Sequence, residues 1–284
     1  MEALRTLLTA YAYNICGSYE EARDIVQDVY LQFMVMDTRF IENKEAYLKR
    51  MVINLSINRK KAMQQQLKQY PGEWLPEPVA TEGADTALNR KEILSYSLMV
   101  LLEKLNPSQR AVFILKEAFD YDHSEIAEVL GIKPEYSRQL LTRAKKKLEA
   151  SDTENFTTAS VTFLNKYLDV IRLGDTEQLE SLLTEDIIVT SDGGGKVRAG
   201  INPLSGKRSA SAFVLGIYKK FYKNRYIEHG VINHQAALFY YADNILETCQ
   251  VFAFENNSVS RIFFIRNPDK LKSIQKLSPK KLAR

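Results

Sequence analysis

The stretch DHSEIAEVLGIKPEYSRQLLTRAKKKL, residues 122–148, predicts a helix, a sharp turn and a second helix. Asp122 precedes Glu125 by three residues, which is the spacing of a capping box at the start of a helix. Gly131 suits the left-handed conformation that ends many helices, and Pro134 suits the first turn of the next helix. The inward stripe of that second helix is Ser137, Leu141, Ala144 and Leu148. These signals together are typical of a helix-turn-helix.

The opposite face of the second helix is polar and basic. Its side chains can reach base edges or phosphates, and we interpret this face as DNA-binding. The residues are Glu135, Tyr136, Arg138, Gln139, Thr142, Arg143 and Lys146. A helix-turn-helix places its second helix in the major groove of DNA. A helical pair with a solvated basic face is equally compatible with this stretch taken alone.

The composition is that of an ordinary globular protein. The 284 residues are 45% hydrophobic and 26% charged, and the net charge is only +4. The longest apolar runs are far shorter than the roughly 20 residues that a membrane helix needs, and the first residues lack the pattern of a secretion signal. We therefore expect a cytoplasmic protein with no membrane partner. Cys16 and Cys249 have no Cys or His neighbours, so we expect no disulfide, no metal site and no cofactor.

The chain divides into a helical first half and a β-rich last third. Helical periodicity predicts helices over residues 19–36 and 44–69, and the prolines at 71, 76 and 78 end the second. We expect one helical module over residues 1–70, a linker over 71–85 and a second helical module over 86–150. Strand patterns then begin near residue 186 and surround one helix, at residues 209–222. They predict an α+β domain over residues 151–284 with a mostly antiparallel sheet and a basic tail.

Three motifs in order make residues 1–150 resemble the extracytoplasmic-function group of bacterial sigma factors, within the sigma-70 family. YEEARDIVQDVY, residues 19–30, resembles the polymerase-binding helix of that group. NLSI, residues 54–57, with the basic stretch that follows it, resembles the module that reads the promoter −10 element. LLEKLNPSQRAVF, residues 101–113, resembles the opening of the −35 module, which the helix-turn-helix completes.

The resemblance implies a sigma factor that binds core RNA polymerase and directs promoter-specific transcription initiation. It implies polymerase contacts at Asp24, Gln27, Asp28 and Leu31. It implies DNA contacts in the −10 module at Arg50, Asn54, Asn58, Arg59, Lys60 and Lys61. Helical spacing puts four of these six, Arg50, Asn54, Asn58 and Lys61, on one face. Promoter DNA is therefore the second expected partner.

Three further motifs resemble SigJ-type sigma factors with a fused SnoaL-like domain. They are WLPEP at residues 74–78, DGGGK at 192–196 and NPDKL at 267–271. The resemblance implies a cone of helices wrapped by a curved sheet, which regulates the sigma factor in cis. The regulatory contacts that it implies are Trp74, Leu75, Pro76, Asp192, Gly193, Gly194, Gly195, Lys196, Asn267, Pro268 and Asp269. Because such a cone can hold a pocket, an unknown small ligand is kept among the expected partners.

Two other functions remain open at this point. One is a ligand-sensing helix-turn-helix regulator that does not join core polymerase. The other is a DNA-tethered SnoaL-like enzyme, with Asp192, His229 and His234 as candidate acid/base groups. No acid/base constellation is visible in the sequence, so we expect no enzyme and assign no catalytic residue.

Overall fold

The computed structural model describes residues 2–81, 92–149 and 161–275, which form two compact units. The helical unit comprises residues 2–68, 92–94 and 98–149, and the α+β unit comprises residues 69–81, 95–97 and 161–275. Residues 82–85 of the predicted linker and the basic tail beyond residue 275 lie outside the described part. None of the described helices is long and apolar enough to cross a membrane.

The helical unit contains two helical modules that pack against each other. Its helices are α1 (Glu2–Cys16), α2 (Tyr19–Val35), α3 (Lys44–Leu67), α4 (Tyr96–Leu101), α5 (Pro107–Glu117), α6 (His123–Leu130) and α7 (Pro134–Glu149). The first two residues of α4 group with the α+β unit. Helices α1, α2 and α3 form one module, and α3 contacts both α5 and α6 of the other. The two modules predicted from the sequence are therefore in contact in this structure.

Side-chain caps fix where the helices begin. The Ser18 hydroxyl accepts the amide of Glu21 at the start of α2, and the Asn43 carbonyl oxygen accepts the amide of Ala46 at the start of α3. Asn106 forms a reciprocal capping box at the start of α5. These caps satisfy amides that have no partner within the helix.

The α+β unit is a six-stranded sheet with helices on it. Its elements are α8 (Val161–Leu173), α9 (Thr176–Ser181), β1 (Leu183–Asp192), β2 (Leu204–Ser205), α10 (Lys207–Ile217), β3 (Tyr226–Ile232), β4 (Gln235–Ala242), β5 (Ile245–Glu255), β6 (Ser258–Ile265) and α11 (Pro268–Gln275). The described strands have the order β2-β1-β6-β5-β4-β3, and among them only β1 and β6 pair in parallel. Tyr167 of α8 and Val214 of α10 belong to one core with Phe252 of the sheet. The predicted α+β fold with a mostly antiparallel sheet is confirmed.

Tight turns set the register of the antiparallel strands. Two consecutive residues have positive φ in each turn after β3, β4 and β5, for example Asn233 at 47° and His234 at 64°. Such pairs are typical of the hairpin turns that match the twist of the strands. The structure also extends β1 beyond the predicted residues 187–190 and adds the short strand β2, which the sequence pattern did not indicate.

The described part of the predicted linker is built into the α+β unit. Ala80 forms a bridge with Ile232 at the edge of β3. The amide of Thr81 donates to the carbonyl of Val231 at 3.0 Å, and the amide of Asn233 donates to the carbonyl of Val79 at 2.9 Å. Residues 79–81 therefore extend the sheet of the α+β unit.

Candidate functional site

The helix-turn-helix has the capping geometry that its sequence predicts. The Asp122 carboxylate accepts the amides of Ser124 and Glu125, and the Glu125 carboxylate accepts the amide of Asp122 at 2.7 Å. Gly131 ends α6 at a φ of 65°. His123 and Ser137 form a hydrogen bond of 2.9 Å between α6 and α7, which fixes the angle between the two helices.

The predicted DNA-reading face of α7 is exposed. All seven residues assigned to it lie on the surface: Glu135, Tyr136, Arg138, Gln139, Thr142, Arg143 and Lys146. Lys145 forms an ion pair with Glu117 at 2.8 Å. Among the described residues, the ion pairs of α7 are Arg138–Glu135 and Lys145–Glu117, so Arg143 and Lys146 have no carboxylate partner. These two cations are therefore free to meet phosphates.

The predicted DNA-reading face of α3 is only partly exposed. Arg50, Asn58 and Lys61 are on the surface, and Arg59 is half-buried in an ion pair with Glu21 at 3.0 Å. The side-chain amide of Asn54 donates to the carbonyl of Val129 in α6 at 2.8 Å. Asn54 is therefore bound to the helix-turn-helix instead of being presented to DNA.

Lys60, one of the predicted DNA contacts, lies in a buried ion cluster in this structure. Its side chain is fully buried, and its ammonium donates to both carboxylate oxygens of Glu103, at 2.7 and 2.9 Å, and to the carbonyl of Cys16 at 3.0 Å. Arg110, also fully buried, donates to Glu103 and to the carbonyl of Asn14. The cluster thus joins α3 of the first module to the second module, and Lys60 cannot contact DNA in this conformation.

The environment lowers the pKa of both Lys60 and Glu103. Burial lowers the pKa of Lys60 to about 8, despite the attraction of Glu103. Burial acts to raise the pKa of Glu103, but the charges and hydrogen bonds of Arg110 and Lys60 outweigh it, so that pKa is lowered. Glu103 is therefore ionised at neutral pH.

The predicted polymerase face of α2 is exposed along its whole length. Asp24, Gln27, Asp28 and Leu31 all lie on the surface. Leu31 is 55% exposed, and Met34 and Val35, at helical spacing from it, are even more exposed. The sequence analysis did not select Met34 and Val35, although their spacing from Leu31 could have indicated them. Charged residues beside an exposed apolar patch are typical of a protein-binding surface.

The three motifs of the C-terminal part converge on Asp192, in a cluster that we call the linker anchor: Tyr70, Trp74, Leu75, Asp192, Gly194, Asn267 and Lys270. Asp192 ends β1 and is 1% exposed. Its carboxylate accepts the Tyr70 hydroxyl at 2.5 Å, the Leu75 amide at 2.9 Å and the Gly194 amide at 2.9 Å. It also pairs with the Lys270 ammonium at 2.5 Å.

Lys270 and Asn267 complete the linker anchor from the other side. The Lys270 ammonium donates to the carbonyl of Leu75 and lies 4.1 Å from the centre of the Trp74 ring. Such a cation over an indole face is a favourable contact. The side-chain amide of Asn267 donates to the Tyr70 hydroxyl at 3.1 Å. Burial and the hydrogen bond to Asp192 both raise the pKa of Tyr70, so its hydroxyl remains a donor.

Most of the predicted regulatory residues lie in or beside the linker anchor. Lys196 and Asp269 form an ion pair at its exposed side, and Gly193 and Gly194 leave no room for a side chain. Pro76 is buried and accepts the Tyr96 hydroxyl at its carbonyl, at 2.8 Å. Sequence analysis missed Tyr70 and Lys270 as contact residues, although Lys270 belongs to the quoted NPDKL motif.

The three candidate acid/base groups do not form a site. Asp192 is used in the linker anchor, and His229 is exposed on β3. The backbone of His234 forms the turn after β3, where its amide donates to Thr81. Three strands separate β1 from β3, a distance of roughly 19 Å at the usual strand spacing. No group of His, Cys, Asp and Glu among the described residues could hold a metal ion.

Comparisons with known proteins agree with this architecture. Residues 1–65 match the family described as Sigma-70 region 2, and residues 95–148 match Sigma-70, region 4. Two such regions in this order define a promoter-recognition factor of the sigma-70 class, which is a class of transcription initiation factors and not of enzymes.

Individual relatives show to which group of the sigma-70 class the chain belongs. The chain is 32% identical to the ECF RNA polymerase sigma factor SigJ of Mycobacterium tuberculosis over 228 residues, 78% of this chain and 72% of the relative. It is 25% identical to the probable ECF sigma factor SigI of that species over 153 residues, about half of each chain. The crystal structure of M. tuberculosis SigJ matches with a TM-score of 0.76 and 28% identity, covering 99% of this chain and 98% of that one. The chain belongs to the extracytoplasmic-function (ECF) RNA polymerase sigma factors, so core RNA polymerase and promoter DNA are its partners.

Proposed function

We propose that this sigma factor is regulated in cis by its α+β unit, which acts by holding the linker between the two helical modules. The linker anchor is the observation that supports this proposal. Asp192 binds the linker at the Tyr70 hydroxyl and the Leu75 amide, and Lys270 binds the carbonyl of Leu75. Because unpaired buried polar groups are costly, these contacts hold the linker in one conformation. A linker held in this way is not a flexible tether.

The contact between the two helical modules supports a closed, inactive state. Asn54 and Lys60, two of the six predicted −10 contacts, are bound to Val129 and Glu103 of the second module. Glu103 occupies on Lys60 the position that a DNA phosphate would take, because both are anionic oxygen acceptors. Full contact with the −10 element therefore requires the modules to separate.

In the open state, we assign the residues of α3 and α7 to promoter DNA. The −10 contacts are Arg50, Asn54, Asn58, Arg59 and Lys61, joined by Lys60 once Glu103 is removed. The −35 contacts are Glu135, Tyr136, Arg138, Gln139, Thr142, Arg143 and Lys146. Asp24, Gln27, Asp28 and Leu31 bind the polymerase core, with Met34 and Val35 extending that surface. All of this takes place in the cytoplasm, where core polymerase acts.

Run-off transcription with purified core polymerase on a −10/−35 promoter tests the regulatory proposal. Trp74→Ala removes the ring beneath the Lys270 ammonium, and we expect more transcript because the linker is released and the modules can separate. Tyr226→Ala is the matched control, since Tyr226 is an exposed aromatic residue on β3 of the same unit.

Two further measurements make the result decisive. Both variants should keep the circular dichroism spectrum of the wild type and should co-purify with core polymerase to the same extent. Equal or lower transcript from Trp74→Ala, with folding and core binding intact, would contradict regulation through the linker anchor. Loss of core binding in an Asp28→Lys variant, with Glu2→Lys as control, tests the assigned polymerase surface separately.

A further inference from the structure

The α+β unit contains a cavity that the sigma-factor function does not use. It has a volume of about 350 Å³ and lies where the ends of β1 and β6 meet α10 and the π-helical turn Tyr218–Tyr222. Pockets that hold small molecules begin at roughly this volume. π-helical turns are rare and occur frequently at functional sites. The cavity is therefore large enough for a small organic molecule.

The walls of the cavity are aromatic. Phe213 of α10 and Phe264 of β6 line it, and their rings pack edge to face with centroids 6.1 Å apart. Phe221 and Tyr222 of the π-helical turn also line it. Aromatic side chains favour an aromatic guest, because rings gain energy from edge and offset contacts beyond the area that they bury.

The charged groups that line the cavity within the described residues are all cationic. Arg198, Lys220 and Arg266 line it, and no carboxylate is among its described lining residues. Three positive charges around an apolar space select an anion, and a guanidinium is the group that best matches the two oxygens of a carboxylate.

In the part of the chain that the structure describes, Arg266 has a buried donor without a hydrogen-bond partner. One terminal nitrogen of its guanidinium donates to the carbonyl of Arg198, which holds the side chain in place. Its Nε is buried and makes no hydrogen bond within the described residues. Leaving such a donor unsatisfied costs about 1–3 kcal/mol. A ligand carboxylate would satisfy it.

We propose that this cavity binds a small aromatic carboxylate, with the carboxylate on Arg266 and the ring against Phe213 and Phe264. Binding of the aromatic carboxylate is argued from the cavity alone. An effect of this ligand on transcription rests on the proposed function. The site adjoins the linker anchor along the chain. Ser191 and Arg266 line the cavity, and the next residues, Asp192 and Asn267, belong to the linker anchor. A ligand in the cavity would therefore constrain the strand ends that hold the linker.

Isothermal titration calorimetry with the full-length protein, without polymerase, tests the site. The probes are benzoate, salicylate, indole-3-acetate and 2-naphthoate, each paired with its neutral amide, and inorganic phosphate as an anion without a ring. We expect at least one carboxylate to bind, with its amide and phosphate at least about tenfold weaker. Arg266→Gln should lower the affinity for that carboxylate by about tenfold or more. Arg208 is an exposed arginine of α10 outside the cavity, and Arg208→Gln should leave this affinity unchanged.

The proposal is overturned if no carboxylate binds more tightly than its amide, or if phosphate binds as well as the best carboxylate. It is also overturned if a folded Arg266→Gln protein binds like the wild type. If Arg266→Gln does not fold, Lys220→Gln at the exposed side of the cavity takes its place, with an expected loss of about threefold. Failure of these titrations leaves the transcription test of the linker anchor unaffected, so the two proposals fail separately.

Discussion

Replacing Lys270 by methionine should release the linker without unfolding the α+β unit. Lys270 and Asp192 form an ion pair whose side chains are 10% and 0% exposed. Removing one partner of a buried pair typically costs about 3–5 kcal/mol, because the remaining charge is left in a poorly solvating site. Asp192 keeps three other donors, from Tyr70, Leu75 and Gly194, so we expect the lower end of this range. Methionine has a similar length and fills the space of the lysine chain.

The free energy lost in Lys270→Met should appear as local opening of the linker. The linker is a short segment that side chains of the α+β unit hold in place, and a segment of this kind can open at a free energy below that of global unfolding. A loss of about 3 kcal/mol raises the opening equilibrium by about 150-fold. Hydrogen exchange at the Leu75 amide reports this directly, because that amide is bound to Asp192. The emission of Trp74, the single tryptophan of the chain, should shift to longer wavelength as its ring meets water.

Lys272→Met is the matched control. Lys272 is two residues away on α11, and its ion pair with Asp269 is exposed. Loss of an exposed pair costs about 0.2–1 kcal/mol, so Leu75 exchange should change by less than about fivefold. If Leu75 exchanges equally fast in both variants, or if Lys270→Met only lowers global stability, the linker is not held by the Asp192–Lys270 pair.

Three further predictions address the other sites. Ionised Glu103 has a lowered pKa, so its contribution to stability is present above the ordinary value of 4.5 and is lost as the pH falls through the folded-state pKa. Between pH 7 and pH 3, the free energy of unfolding in urea should therefore fall less in Glu103→Gln than in the wild type. An equal fall in both proteins would contradict this. Lys146→Gln should reduce the slope of log affinity against log salt for promoter DNA by about 0.9 if Lys146 meets one phosphate, whereas Lys166→Gln on α8 should leave it unchanged. Gly194→Ala should lower the melting temperature of the α+β unit, because φ is 64° and a Cβ would lie 2.3 Å from Nδ2 of Asn267. Gly216→Ala, in open space on α10, should instead raise that temperature slightly, and the reverse order would refute the steric argument.

Local signals in the sequence predicted local structure well. The caps at Asp122 and Gly131 involve residues within a few positions of each other, so the helix-turn-helix and its exposed face could be predicted from spacing alone. The β-rich part was predicted from its strand patterns, and the turns between its last strands contain the Asn and Asp residues that left-handed pairs favour. Helical periodicity was less exact in predicting which residues of a helix are buried. Leu141, predicted to face inward, is only half-buried, and Leu140, which was not selected, is buried.

Long-range contacts explain what the sequence could not predict. Lys60 was interpreted as a DNA contact because its helix resembles the −10 module. Its partner Glu103 lies 43 residues away, and no spacing pattern indicates an ion pair at that separation. The linker was expected to connect domains because prolines interrupt its helical pattern. Its partner carboxylate at Asp192 lies 117 residues beyond Leu75, and no periodicity can indicate such a contact.

Under the proposed regulation the two helical modules separate, and the ion pair of Lys60 with Glu103 between them suits that step. Lys60 and Glu103 lose hydration when the modules close, and their attraction roughly offsets that loss, so a buried pair adds little net stability compared with apolar residues. On separation, the two charges are hydrated again, instead of one being left buried alone. This ion pair therefore specifies the geometry of the contact but adds little to the free energy of separating the modules. Separation exposes Lys60 to solvent, where a phosphate can bind it. An apolar contact at Lys60 would hold the modules closed more firmly and would leave no cation for DNA.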